Sequence, residues 1–339
     1  MAQPSVLLLN LGSPDSTSVA DVRTYLKEFL LDERVIDLAP PLRNLIVRGF
    51  ILPFRPKRSA AAYQEIWTDE GSPLVATTRK QAEKLEAATG IPVAYAMRYR
   101  NPTPQAAIAK LKAAGATDVF VMPLYPHYAM SSYETAVVHA MEALREHAPE
   151  VTPHLLQPFY KDDDYIAALV DSAKPYLENG YDRLQFSFHG IPERHVRKSD
   201  PSHAHCLTEN CCARAHPCHA TCYRHQCFET VRHFIARADI PEGRHGTSFQ
   251  SRLGREPWLT PFTDQTLRQL PREGVKRLLI ICPAFITDCL ETLEEINAEG
   301  REIFLEAGGE SFEQIPCLND SDGFVQWMKG RVSGWAATL

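Results

Sequence analysis

The sequence predicts an α/β protein of two doubly wound domains, each a sheet of parallel strands flanked by helices. Three observations point there. Short apolar runs such as Val6–Leu9, Val119–Pro123 and Leu278–Ile281 are too brief for helices and suit strands buried on both faces. Stretches with helical spacing separate them, and this alternation passes through the chain twice. The 339 residues suit two ordinary domains, and 44% apolar with 23% charged residues is the balance of a soluble globular protein.

The first pass opens with strand Val6–Leu9, the turn Asn10-Leu11-Gly12-Ser13-Pro14 and a helix over Ser18–Leu31. Leu38–Pro56 is apolar and proline-rich. It reads as a short core helix, or else as a surface lip able to touch a membrane or cover an apolar ligand. Core packing is the simpler expectation. Helix Gln81–Thr89, strand Val93–Met97, helix Ala106–Ala114, strand Val119–Pro123, the aromatic loop Leu124–Tyr128 and helix Tyr133–His147 complete this half. The second pass starts near 150–160 with strand Val151–Leu156. Helix Tyr165–Asn179, strand Arg183–Phe188, a cysteine-rich segment, helix Phe228–Ala238, strand Thr247–Gln250, helix Gln265–Leu270 and strand Leu278–Ile281 follow. An acidic helix comes next, and a last helix near Gly323–Gly334 packs back on one half or the other. The expected domains are therefore 1–155 (lip about 40–60), 156–320 (insert about 203–227) and 321–339 as the returning helix.

A formal charge of −6 offers no basic footprint for nucleic acid. Met1–Asn10 lacks the basic start of a signal peptide, and no stretch reaches the roughly 18–20 apolar residues that span a bilayer. A cytoplasmic protein is expected, whether monomer or homodimer.

Four sequence features carry chemistry. Asp288, Glu291, Glu295 and Glu299 are spaced three, four and four apart, which stacks them on one helix face. Like charges there repel by about 0.2–0.5 kcal/mol per pair. Asp288 as N-cap with Glu291 as its capping-box partner accounts for two of the four. The alternative is a line of carboxylates leading into a cleft at the strand end, able to move protons or a hard cation. In Phe186-Ser187-Phe188-His189-Gly190-Ile191-Pro192 a histidine ends a strand where parallel sheets present ligand-contacting residues. Ser248–Leu259 mixes Arg252 and Arg255 with Trp258, a clamp for a flat anionic ligand, and Arg98-Tyr99 offers the same chemistry in the other half. Finally, six of the nine cysteines lie between Cys206 and Cys227, and such clustering without an export signal reads as metal binding.

These stretches resemble the ferrochelatase family. Asn10–Pro14, Asp69-Glu70-Gly71-Ser72-Pro73-Leu74, Phe186–Pro192, the Gln250–Asp264 run and Pro283–Ile296 match it in order, across about residues 5–320. The resemblance implies two Rossmann-like, chelatase-type domains, each with a parallel four-stranded sheet, and an active-site cleft between them. It implies insertion of Fe2+ into protoporphyrin IX to give protohaem, with release of two protons. His189 resembles the active-site histidine, Glu291 its partner carboxylate, and Glu295 and Glu299 an acidic ladder on a helix widened to a π turn. Leu11, Arg98, Tyr99, Trp258 and Phe285 resemble the lining around the macrocycle, and Leu45–Phe54 the lip. Either His189 or Glu291 is the first to hold the metal.

The residue types suit that chemistry. Two pyrrole protons must leave, and histidine titrates near neutrality. Carboxylates guide a hydrated divalent ion and pass protons outward. Bending the ring in a tight apolar cleft, at about 1–5 kcal/mol, aims its nitrogen lone pairs at the metal.

Some bacterial members carry a two-iron, two-sulfur cluster on an internal insert like this one. Four thiolates from Cys206, Cys211, Cys212, Cys218 and Cys222 suit a [2Fe–2S] cluster, and zinc is the simpler alternative. Adjacent Cys211 and Cys212 point different ways, which disfavours both as ligands, and Cys227 reads as the start of the next helix. Cys289 reads as a packing thiol or a metal contact. A coproporphyrin or other tetrapyrrole chelatase is the first alternative function. A non-catalytic iron–sulfur or haem sensor is the second, but it would not need His189 together with the acidic ladder.

Overall fold

The structure, a computed structural model, describes residues 2–254 and 256–339. Two sheets of four strands are present among them. The first contains β1 (Pro4–Gly12), β2 (Val93–Tyr99), β3 (Asp118–Pro123) and β4 (Thr152–Leu155), in the order β2-β1-β3-β4. The second contains β5 (Arg183–His189), β6 (His245–Gln250), β7 (Arg277–Ile281) and β8 (Ser311–Ile315), in the order β6-β5-β7-β8. Every pairing is parallel. Central strands are buried on both faces, as their unbroken apolar runs require: Val6, Leu7 and Leu8 are fully buried in β1, and Leu278 to Ile281 are buried in β7.

The two orders match. In each sheet the chain first adds a strand on one side, then crosses to the other, so the direction of winding reverses beside β1 and beside β5. Open α/β sheets bind ligands at the carboxyl ends of the strands at that reversal. Leu11 and His189 end those two strands.

The chain divides into two compact units. One comprises residues 2–124, Met130–Gln157 and Asn319–Leu339; the other comprises Tyr125–Ala129 and Pro158–Leu318. The final helix, Asp322–Ala336, thus belongs to the first unit, where Trp335 stacks on Phe120 of β3 at 5.0 Å. Ser321 caps it by accepting from the Phe324 amide.

Several expectations need correction. Strand 152–155 does not begin the second sheet; it pairs with β3 at the edge of the first. The short strand β8 was not foreseen, because an edge strand with exposed Ser311 and Glu313 lacks the apolar run that betrays its neighbours. The helix expected from Gln81 starts at Pro73, where proline suits the first turn. Leu38–Pro56 is not core. It folds as helix Pro40–Asn44 running into a π turn, Leu45–Ile51, that buries Val47 but leaves Leu45 58%, Phe50 66% and Phe54 77% exposed. No helix among the described residues is long and apolar enough to cross a membrane.

Candidate active site and cysteine site

In the second unit, three strand ends converge. Phe186, Ser187 and Phe188 are fully buried, and β5 emerges from the core at its last residue, which leaves His189 half-buried. Its Nδ1 lies 2.6 Å from the Gly190 carbonyl oxygen. A carbonyl only accepts, so Nδ1 carries the proton and Nε2 keeps its lone pair. Gly190 donates its amide to the Gln250 carbonyl at 2.6 Å. A Cβ there would meet the backbone oxygens of Ser251 and Gln250 at 2.8 and 2.9 Å, so the close approach of β5 and β6 requires glycine. The Phe285 ring lies 6.3 Å from the imidazole.

Ser251, just past β6, is held at φ +59°. Its amide donates to the Glu295 carboxylate at 2.8 Å, and its hydroxyl donates to the same group. Burial pushes the Glu295 carboxyl up, and the Glu291 charge adds to this; the Ser251 donors and His189 oppose it without cancelling it. His189, Glu291 and Glu295 therefore share one electrostatic environment. Glu299 is exposed farther along the π turn Leu293–Gly300. The acids do stand on the segment after β7, but not as an Asp288-capped helix. Cys289 is the N-cap, bonded reciprocally with Thr292, and Asp288 accepts from the Thr292 hydroxyl at 2.9 Å. Cys289 is buried, with its thiol pushed up by burial, as a packing side chain would be.

Gln250 links the parts: it accepts from the Ser187 hydroxyl at 2.7 Å and donates to the Glu291 carbonyl at 2.8 Å. Neither Gln250 nor Ser251 stood out as a functional residue in the sequence. The only signal was a polar pair directly after an apolar strand. The expected arginine clamp is not formed by Arg252, which holds Asp264 through two hydrogen bonds of 2.7 and 3.0 Å. Arg255 lies outside the described residues. Trp258 is half-buried, donates to the Leu253 carbonyl at 3.1 Å and packs over Gly190.

In the first unit, Leu11 is half-buried at the end of β1, and Gly12 (φ +105°) follows it where any Cβ would collide with the Tyr99 carbonyl oxygen. Arg98 ends β2 with its guanidinium 2.5 Å from Asp32 and 2.7 Å from the Thr135 hydroxyl. Burial would raise the Asp32 carboxyl, but Thr135, the Arg34 amide, Arg98 and Tyr99 together hold it below the usual range. Tyr99 is 1% exposed and donates to Asp32 at 2.9 Å. It therefore braces this ion pair and presents no surface to a ligand, contrary to expectation. Arg98 stays partly open on a cavity of about 360 Å³ that also meets Arg100, Asn101 and His139.

The cysteine segment folds around Asp200. This fully buried carboxylate accepts from the amides of Ser202, His205 and Cys206 at 2.8–2.9 Å. Those bonds hold it well below the usual carboxylate range despite its burial. The thiols form a chain of contacts. Cys206 lies 3.6 Å from Cys218 and touches Cys222; Cys222 in turn touches Cys212, whose sulfur is 3.8 Å from Cys211. The hydrogen bond from Cys212 lowers Cys222 to about 6, against its burial. All these cysteines are free thiols. Adjacent Cys211 and Cys212 approach each other, contrary to the expectation that they diverge. Asp200, Cys206 and Cys218 bring donor atoms within 4.8 Å of one another, as do His205, His216 and Cys218. The following helix begins at Tyr223 with Cys222 as its N-cap, so Cys227 sits inside it, not at its start.

The chain matches the Ferrochelatase family over residues 3–334. It is 51% identical over 339 residues to a protein named Ferrochelatase from Opitutus terrae, covering 99% of this chain and 98% of that one. A protein of the same name from Stutzerimonas stutzeri is 49% identical over 329 residues, 96% of each. Among solved structures, SirB from Bacillus subtilis with Fe3+ aligns with a TM-score of 0.54 at 13% identity, over 98% of this chain and 95% of that one. That likeness speaks for the fold alone.

Proposed function

The chain belongs to the ferrochelatase family, and from that premise we propose how its own residues insert Fe2+ into a porphyrin, a step of haem synthesis. Insertion breaks two pyrrole N–H bonds as iron–nitrogen bonds form, so two protons must leave. His189 takes them one at a time at Nε2, the atom that its Nδ1 contact leaves open in the neutral ring, and hands the first to the neighbouring carboxylates before it accepts the second. Glu291 stands beside it as the partner carboxylate, one of the two meeting the Fe2+ substrate first. Glu295, half-buried and held by Ser251, passes protons toward exposed Glu299. Arg98 pairs with a propionate, and Leu11, Phe285 and Trp258 pack on the macrocycle. The observation that carries this reading is the convergence of His189 at the end of β5 with the residues after β6, where Gln250 holds the Glu291 carbonyl and Ser251 holds the Glu295 carboxylate.

The exposed Leu45, Phe50 and Phe54 suit the vinyl-bearing edge of protoporphyrin IX better than a porphyrin with four propionates. With Arg43, Arg48, Arg55, Lys57 and Arg58 interleaved, the same lip suits an anionic membrane surface reached from the cytoplasm. The insert fits a [2Fe–2S] cluster on four of Cys206, Cys211, Cys212, Cys218 and Cys222, the five thiols in one run of direct contacts. Two thiolates on one tetrahedral metal at ~2.3 Å lie about 3.8 Å apart, close to the Cys206–Cys218 spacing of 3.6 Å. When bound, the cluster supplies a covalent staple and a one-electron couple. Visible absorbance with two irons and two labile sulfides per chain supports this assignment; a colourless protein with one zinc refutes it.

The function is tested by anaerobic incubation with protoporphyrin IX and Fe2+ or Zn2+. Four free-base visible bands should collapse to two with wild type and persist with His189→Ala. A wild-type protein that binds porphyrin yet never metallates it would overturn the assignment.

A further inference from the structure

The insert and the catalytic histidine are joined by one side chain. Tyr223 donates its hydroxyl to the His189 carbonyl oxygen at 2.9 Å. That carbonyl needs an outside donor on the β7 side, because the ladder there stops at the Phe186–Ile281 pair, three residues short of His189. Tyr223 is 5% exposed, its hydroxyl also touches the buried Cys227 thiol, and its ring packs edge-on against His127 at 5.9 Å. It has little freedom to reorient alone. It is also the first residue of helix Tyr223–Arg237, whose N-cap is Cys222. The thiol placed at the cysteine site and the hydroxyl that holds His189 thus sit on consecutive residues, with α-carbons about 3.8 Å apart. One turn on, Gln226 donates to the His219 and Ala220 carbonyls at 3.1 and 2.9 Å and accepts from the Tyr128 amide at 2.7 Å. The helix start is therefore pinned to the insert on one side and to the Tyr125–Ala129 loop on the other.

We propose that Tyr223 is a positioning residue for His189, and that through it the state of the cysteine site sets the aim of the imidazole. The insert then acts on chelation as a mechanical support whose loss displaces the base. This rests on the reading of His189 as the base.

The test uses the full-length protein with isotope-labelled histidine, assigning the His189 imidazole resonance by its loss in His189→Ala. Tyr223→Phe should move that resonance and lower kcat for zinc insertion about tenfold, the scale expected when a reacting group is misplaced by a fraction of an ångström, with the porphyrin KM within twofold. Thr230→Val does not serve as the control. That variant disturbs His127, which packs on Tyr223, so the control is instead Arg232→Gln, at an exposed residue of the same helix that pairs with Glu229 at 2.7 Å. It should leave both readouts unchanged. Cys222→Ser should move the same resonance, and its rate loss should not multiply with that of Tyr223→Phe, the sign of a shared path. Should Tyr223→Phe unfold, the Cys222→Ser shift of the resonance decides alone. An unmoved resonance, an equal effect of Arg232→Gln, or losses that multiply would each overturn the inference. If wild type itself never metallates porphyrin, the base assignment fails instead, while the resonance still reports whether insert and histidine are coupled.

Discussion

Gly190→Ala is the sharpest perturbation the active-site geometry allows. Its φ lies outside the left-handed region, so an added methyl is penalised by space alone. That methyl would sit 2.8 Å from the Ser251 oxygen and 2.9 Å from the Gln250 oxygen. Relaxed carbon–oxygen contacts run about 3.3–3.6 Å, so relief takes a displacement of about 0.5 Å. Both obstructing atoms are backbone, and the same two residues hold Glu295 and the Glu291 carbonyl. The strand end that carries His189 must therefore move relative to its acids. Overpacking of this kind costs about 1–3 kcal/mol. At about 2–4 °C per kcal/mol for a unit of this size, the melting point should fall by roughly 4–8 °C for a 2 kcal/mol loss. A 1 Å misplacement can cost about 100-fold in rate, so half of that should cost kcat about tenfold. Calorimetry and stopped-flow zinc insertion read the two effects, with Gly330→Ala as the reference. A Cβ at Gly330 meets nothing within 4 Å, and alanine in that helix should stabilise by up to about 1 kcal/mol. If Gly190→Ala melts within 1 °C of wild type and retains kcat within twofold, the steric reasoning is wrong.

Three further outcomes follow from the charge networks. Asp32→Ala leaves Arg98 without its buried partner, and breaking such a pair costs about 3–5 kcal/mol, read by denaturant titration. Because its folded pKa is depressed, Asp32 contributes stability above its unfolded pKa of about 3.9, and the gap between wild type and Asp32→Ala should narrow as pH falls through the folded value. Glu295 behaves in the opposite sense: burial raises it, so its contribution is present below about 4.3 and lost as pH rises through the folded value. Glu295→Gln should gain stability relative to wild type toward alkaline pH, yet lose roughly 100-fold or more in kcat if the relay is real. Asp200→Asn turns one acceptor oxygen of the insert into a donor facing backbone amides, so the purified protein should carry less than half the wild-type content of bound metal by elemental analysis.

What could be read from the chain follows a physical line. His189 was legible because a strand end before a Gly-Ile-Pro break is a local pattern, and the same holds for the acids after β7 and for the cysteine cluster. Partners fixed by packing were not legible. Nothing local links Ser251 to Glu295, 44 residues away, because the link exists only once β6 lies beside β5. Nor does Arg98 announce that its charge is spent on Asp32, 66 residues earlier, or Tyr99 that its hydroxyl is buried. Residue type alone suggested a ligand-facing pair where the fold built a brace with one open face.

The repeated strand order sharpens the point. Both sheets wind the same way, yet their charged groups do not stand on matching strands: Arg98 lies near the end of β2, the counterpart of β6, whereas His189 ends β5, the counterpart of β1. The first ends in a fixed cation, with Arg98 locked by a carboxylate held well ionised. The second ends in a histidine whose Nδ1 is engaged by the Gly190 carbonyl, in the field of a carboxylate that burial keeps reluctant to ionise. A fixed cation holds an anionic group without exchanging protons, whereas a histidine and a hesitant acid exchange them readily. The surroundings of the two carboxylates therefore set them apart: the donors and Arg98 keep Asp32 ionised, whereas burial pushes the Glu295 carboxyl up.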